Sequence, residues 1–117
     1  MSADPDCLFC KIVAGDIPCD KLYEDDDVLA FNDINPQAPV HFLVIPKCHI
    51  ASLEDLTEDD AELIGKVQLV AQKIARERGV AENGYRTVYN CGADGLQSVG
   101  HLHLHVLAGR RMEWPPG

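Results

Sequence analysis

Basic residues are scarce in this 117-residue chain: ten Lys and Arg stand against nineteen Asp and Glu, a formal charge of −9. Such a chain repels a polyanion and offers no basic stripe for DNA or RNA, so no nucleic-acid partner is expected. Any phosphate ligand must be small and held by local groups. No apolar run approaches the roughly 18 residues a membrane span needs, which leaves no expectation of a membrane partner. The start, Met1-Ser2-Ala3-Asp4-Pro5-Asp6, has neither the basic segment nor the apolar stretch of a secretory signal, and the expected compartment is cytoplasmic. The five cysteines, at 7, 10, 19, 48 and 91, are odd in number, and a reducing compartment argues against a disulfide framework. Internal repeats, low-complexity tracts and linker-like composition shifts are lacking. The reading is one domain over residues 1–117, long enough to bury roughly two-thirds of its unfolded surface around one core but not around two.

What is present sketches a scaffold. Asp6 is the expected N-cap of a short helix over Leu8 to Ala14, ended by Gly15 and Pro18. Lys21 to Glu24 and Val28 to Asn32 read as strands of a hairpin around Asp25-Asp26-Asp27. Two prolines make Asn35-Pro36-Gln37-Ala38-Pro39 a rigid loop, and His41 to Ile45 resumes as a strand stopped by Pro46. Thr57 to Gly79 carries the clearest helix signals: Thr57 as N-cap, Glu58, Asp59 and Asp60 at the positive end, and Lys73, Arg76 and Arg78 near the negative one. Ile64, Val67, Ala71 and Ile74, with Leu63 and Val70 beside them, form an apolar stripe that reads as core. Tyr85 to Asn90 and His101 to Ala108 are the last strands, separated by a Gly-containing loop from Cys91 to Gly100. The expected class is α+β, a five-stranded mainly antiparallel sheet with one long and one short helix packed on one face.

The candidate chemistry sits on the final strand. In His101-Leu102-His103-Leu104-His105-Val106-Leu107, strict alternation puts three histidines on one face and Leu102, Leu104 and Val106 on the other. Same-face neighbours are about 6.7 Å apart along a strand, close enough for one substrate or two adjacent sites. Idle histidines there would cost packing. A tri-histidine metal centre is the sharper competitor, because imidazole is a common zinc ligand.

The stretch Gln97-Ser98-Val99-Gly100-His101-Leu102-His103-Leu104-His105-Val106 resembles the signature of the histidine triad family. The segment from Asn32 through Pro36-Gln37-Ala38-Pro39 to Lys47, and the ending Gly109-Arg110-Arg111-Met112-Glu113-Trp114-Pro115-Pro116-Gly117, resemble its Hint branch, the purine nucleoside phosphoramidases. The likeness covers nearly the whole chain. It implies a hydrolase that cleaves purine nucleoside 5′-phosphoramidates and binds purine nucleotides such as AMP, GMP or adenosine phosphoramidates. It also implies a homodimer with a ten-stranded sheet, in which tail residues 109–117 lie at the edge of the site and Trp114 contacts the partner.

Carried over by position, His103 is the nucleophile that forms a transient nucleotidyl-histidine, a role a neutral imidazole can fill near pH 7. The resemblance makes His105 a hydrogen-bond donor to the nonbridging oxygens and Ser98 and Asn90 polar contacts to phosphate and leaving group. Gln97, Ser98 and Val99 lie where backbone amides can face the phosphate. Asp33 matches the acceptor of both ribose hydroxyls. Phe9, Phe31 and Ile34, with Leu8, Ile12 and Leu43, form the expected base slot, although each also suits plain core. Ser98 also reads as a loop serine and Asp33 as a turn former, and His41 takes a supporting structural role.

Cys7-Leu8-Phe9-Cys10 has a spacing that lets both sulfurs reach one ion. Other triad proteins and the related galactose-1-phosphate uridylyltransferases use such a pair for zinc. Their remaining ligands fall here on His49 and His101, which implies a closed, structural Cys2His2 zinc and a chemistry that needs no cofactor. A redox pair or two unconnected thiols are the competing readings. Leu96 stands where the Hint pattern has Gly, Gly100 where it has a bulky residue, and Asn32 where it has a histidine, differences that bear on substrate choice. Two other function classes compete with the phosphoramidase: a metallohydrolase with zinc on all three triad histidines, and a nucleotide-binding regulatory or interaction protein.

Overall fold

A first turn that caps itself with sulfur sets the entry to the sheet. The computed structural model describes residues 3–117. Cys7 N–H donates to the Asp4 carbonyl at 3.0 Å, and Cys7 Sγ accepts from the Cys10 amide at 3.2 Å. The N-cap of helix α1, Leu8–Ala14, is therefore Cys7 and not Asp6, because the turn from Asp4 delivers the thiol to the orphan amide three residues further on. Gly15, at φ +86°, ends α1 in the left-handed region.

Strands β1 (Lys21–Glu24) and β2 (Val28–Asn32) form the expected hairpin. The Asp25 carboxylate accepts from the amides of Asp27 and Val28 at 2.8 and 2.9 Å and from the Tyr23 hydroxyl at 2.7 Å, so one side chain closes the turn. Lys66 then neutralises the acidic tip, 3.1 Å from Asp25 and 2.8 Å from Asp27. Strand β3 covers Val40–Pro46, β4 Tyr85–Tyr89 and β5 Leu104–Ala108. All neighbours pair antiparallel in the order β1-β2-β3-β5-β4.

The long helix starts later than its sequence signals suggest. Thr57 caps a 3-10 turn over Glu58–Asp60, its N–H donating to the Asp60 carboxylate at 2.9 Å, and helix α2 runs from Ala61 to Glu77. Gly79, at φ +74°, follows the end, and Val80 N–H reaches back to the Ala75 carbonyl at 3.0 Å.

The helices lie on opposite faces of the sheet, which corrects the one-face expectation. Val67, Val70, Ala71 and Ile74 of α2 pack on Val28, Ala30, Phe42, Val44, Leu104 and Val106. On the other face Cys7, Phe9 and Cys10 of the α1 region pack on the alternate residues Leu29, Phe31, Leu43 and Ile45. Strands β2 and β3 are apolar at odd and even positions alike because both of their faces are covered.

Candidate active site and metal cluster

The ladder of β5 begins at Leu104, so His101 and His103 lie in an extended lead-in rather than in the strand. Other bonds hold that lead-in. Leu102 N–H donates to the Ile50 carbonyl at 2.7 Å, and the rings of His101 and His103 each bond to main-chain carbonyl oxygen. Alternation persists in effect: His103 and His105 face one cleft, their ring centroids 4.9 Å apart, while Leu102 and Leu104 are buried.

The partner of each imidazole determines its chemistry. His101 is completely buried, and its Nε2–H donates to the Pro46 carbonyl at 2.9 Å, which leaves Nδ1 with a lone pair. That Nδ1 lies 3.3 Å from Cys7 Sγ, 3.5 Å from Cys10 Sγ and 3.3 Å from His49 Nδ1, while His49 Nδ1 is 3.4 Å from Cys10 Sγ. Tetrahedral zinc with ordinary Zn–S and Zn–N bonds sets sulfur-to-nitrogen edges of about 3.6 Å and nitrogen-to-nitrogen edges of about 3.4 Å. The spacings, the soft donor set and the carbonyl behind His101 all fit that ion.

His103 has the complementary arrangement. Its Nδ1–H donates to the His101 carbonyl at 2.7 Å, so the lone pair belongs to Nε2. Burial pulls its pKa below the usual 6.5, partly opposed by this hydrogen bond and by Asp33, and keeps the ring neutral near pH 7. His41 Nδ1 accepts from the Gln37 amide at 3.0 Å, which places the proton on Nε2. That Nε2–H meets His105 Nδ1 at 2.9 Å, with Asp33 Oδ2 at 3.4 Å, so His105 carries its proton on Nε2. Burial foremost, then the neighbouring His103 and His41, lowers the His105 pKa to about 4.

A cleft of about 270 Å³ connects these groups to solvent. It contains His103, His105, Ser98, Val99 and Asp33, together with Phe9, Phe31, Ile34, Leu8, Ile12 and Leu43 of the expected slot. Asn90 and Gln97 lie outside the lining, their amides committed to the loop. Asn90 Nδ2 donates to the Gly95 carbonyl at 2.7 Å, and Gln97 bridges Gly92 N–H to the carbonyls of Ala51 and Val99. Ile17, Pro18 and Cys19 also line the cleft and carried no separate sequence signal. Asn32 is held by Asp20 and Arg78. Leu96 sits at φ 61°, the backbone region that favours the Gly it replaces.

A family model described as "Scavenger mRNA decapping enzyme C-term binding" matches residues 6–114. An uncharacterized HIT-like protein of Synechococcus elongatus is 52% identical over 112 residues, 96% of this chain and 97% of that one. Among solved structures, a HIT family hydrolase from Legionella pneumophila is 52% identical with a TM-score of 0.94, covering 96% of this chain and all (100%) of its own. A Zn-bound histidine triad family protein from Mycobacterium smegmatis is 39% identical with a TM-score of 0.79, over 90% of this chain and 76% of that one. The chain belongs to the histidine triad (HIT) family. Its relatives include hydrolases and a zinc-bound member, and the Cys7, Cys10, His49 and His101 cluster supports metal binding here.

Proposed function

We propose that the protein is a Hint-branch hydrolase that cleaves purine nucleoside 5′-phosphoramidates through a covalent nucleotidyl-His103. The observation that carries this reading is the 2.7 Å bond from His103 Nδ1–H to the His101 carbonyl, which leaves a neutral Nε2 lone pair on a ring that lines the cleft. Nε2 attacks the α-phosphorus and the P–N bond to the amine breaks. The amine leaves with a proton taken from solvent; water then splits the P–N bond to His103, its oxygen bonding to phosphorus and its proton returning to solvent, which releases the nucleotide and the free imidazole. The Nε2–H of His105 donates to a nonbridging oxygen as charge builds. Ser98 and the Val99 backbone sit beside the phosphate, Asp33 accepts from the ribose hydroxyls, and the Phe9, Phe31 and Ile34 slot takes the base.

Zinc in the Cys2His2 cluster supplies a structural crosslink between α1, the segment after β3 and the lead-in to β5. His103 belongs to neither of the metal-competent clusters among the described residues, which weighs against one zinc shared by the whole triad. In the second of them, Asp33-His41-His105, the Gln37 amide puts a proton on the His41 nitrogen that would face an ion. A homodimer completes the reading, checked by light scattering at twice the chain mass.

The decisive experiment quenches a single turnover of adenosine 5′-phosphoramidate and digests the protein for mass spectrometry. AMP on His103 is expected, and His103→Ala should lower kcat/KM by at least about 10³-fold. Product formed at the normal rate by His103→Ala ends the nucleophile assignment. Tight AMP binding with turnover indifferent to substrate identity, and partner capture that survives His103→Ala, favours the regulatory alternative.

A further inference from the structure

Phe9 occupies a place that lining a base slot does not by itself require. It lies between Cys7 and Cys10 in the chain, is 5% exposed, and turns its ring toward three others. The ring centroids are 5.9 Å from His101 at 72°, 5.2 Å from His103 at 90°, and 5.6 Å from Phe31 at 75°. One flat side chain therefore touches a metal ligand, the proposed nucleophile and a cleft wall. The His103 ring is held by one hydrogen bond at Nδ1, and the edge-on contact with Phe9 supplies a second restraint on its tilt.

The backbone that carries Phe9 also carries half of the candidate cluster. Helix α1 has seven residues, too few to be stable unaided, and two of the four candidate ligands flank Phe9. An ion that joins Cys7 and Cys10 to His49 and His101 holds the start of α1 against the lead-in to β5. A nucleotide that fills the cleft presses on the same ring from the open side.

We propose that Phe9 is a positioning residue that couples the metal cluster to His103, so that metal and nucleotide each strengthen the binding of the other. The coupling rests on the nucleotide reading given above. It is reciprocal by linkage: the factor by which zinc tightens AMP equals the factor by which AMP tightens zinc.

The test uses the full-length, zinc-loaded protein and its zinc dissociation constant, from equilibrium competition with a chromophoric chelator, with and without saturating AMP. AMP should tighten zinc by about tenfold, inside the roughly 5- to 150-fold span of such couplings, and zinc removal should weaken AMP binding by the same factor in calorimetry. Phe9→Leu, which keeps apolar bulk but loses the flat ring, should still load zinc, while AMP at a concentration that saturates the variant changes its zinc dissociation constant by less than about twofold. Phe9→Tyr should restore the wild-type factor. AMP that binds the wild type without changing its zinc affinity overturns the coupling and leaves the nucleotide reading standing, and this comparison needs no variant. Full coupling in Phe9→Leu removes Phe9 from the path. No AMP binding to either form sinks the nucleotide reading, and the coupling falls with it.

Discussion

A histidine ring has two nitrogens, and in this protein the main chain decides which one is left for chemistry. A carbonyl behind Nε2 leaves His101 with an Nδ1 lone pair among Cys7, Cys10 and His49, and a carbonyl behind Nδ1 leaves His103 with its lone pair on Nε2. The Gln37 amide does the reverse to His41 and orders the proton that reaches His105. Burial foremost, then the neighbouring His103 and His41, favours neutral His105, with a pKa of about 4 against the ordinary 6.5. The unfolded chain binds more protons in that window, so this contribution to stability is complete above about pH 6.5 and declines as the pH falls toward about 4. Melting temperatures measured across the window should drop, and His105→Asn should flatten the slope. An equal slope in the variant would assign the acid sensitivity elsewhere. That His103 and His105 share a face was legible from the alternating motif, and that Asp33 joins them in one cleft was legible from the resemblance. The His41–His105 bond was not. It depends on the β3–β5 register, which sets His105 opposite Leu43 and His41 opposite Leu107, diagonal neighbours that no local pattern specifies.

At the scale of elements, the two helices divide the labour. Helix α2 supplies cohesion: its stripe was legible because six apolar positions repeat at helical spacing, and four of them enter the core on the face away from the cleft. Ile74→Ala should cost about 2–5 kcal/mol in urea denaturation while AMP affinity stays within about twofold. A loss below about 1 kcal/mol would mean that Ile74 is not held by that core. Helix α1 was legible in extent but not in docking, because seven residues with a thiol cap carry too little periodicity to declare a face. The placement of both helices on one side failed for a related reason. Strands β2 and β3 are apolar on both sides, a pattern that signals two covered faces, whereas β1 and β4 at the sheet edges are only partly buried.

For the molecule as a whole, the α2 side is a sealed apolar layer and the α1 side carries both the candidate metal cluster and the cleft. No described helix is long and apolar enough to cross a membrane. The fold class could be read from element order alone, since a helix, three strands, a long helix and two strands admit few antiparallel arrangements. The cleft lining contains Asp33 and neither Lys nor Arg. A dianionic ligand approaching a chain of net charge −9 meets long-range repulsion and no local cation to offset it. Added salt shortens the Debye length from about 30 Å at 0.01 M to about 8 Å at 0.15 M. Stopped-flow association of a fluorescent AMP analogue should accordingly speed up as potassium chloride is raised, the opposite of the usual trend for enzymes that seize phosphate with lysine and arginine.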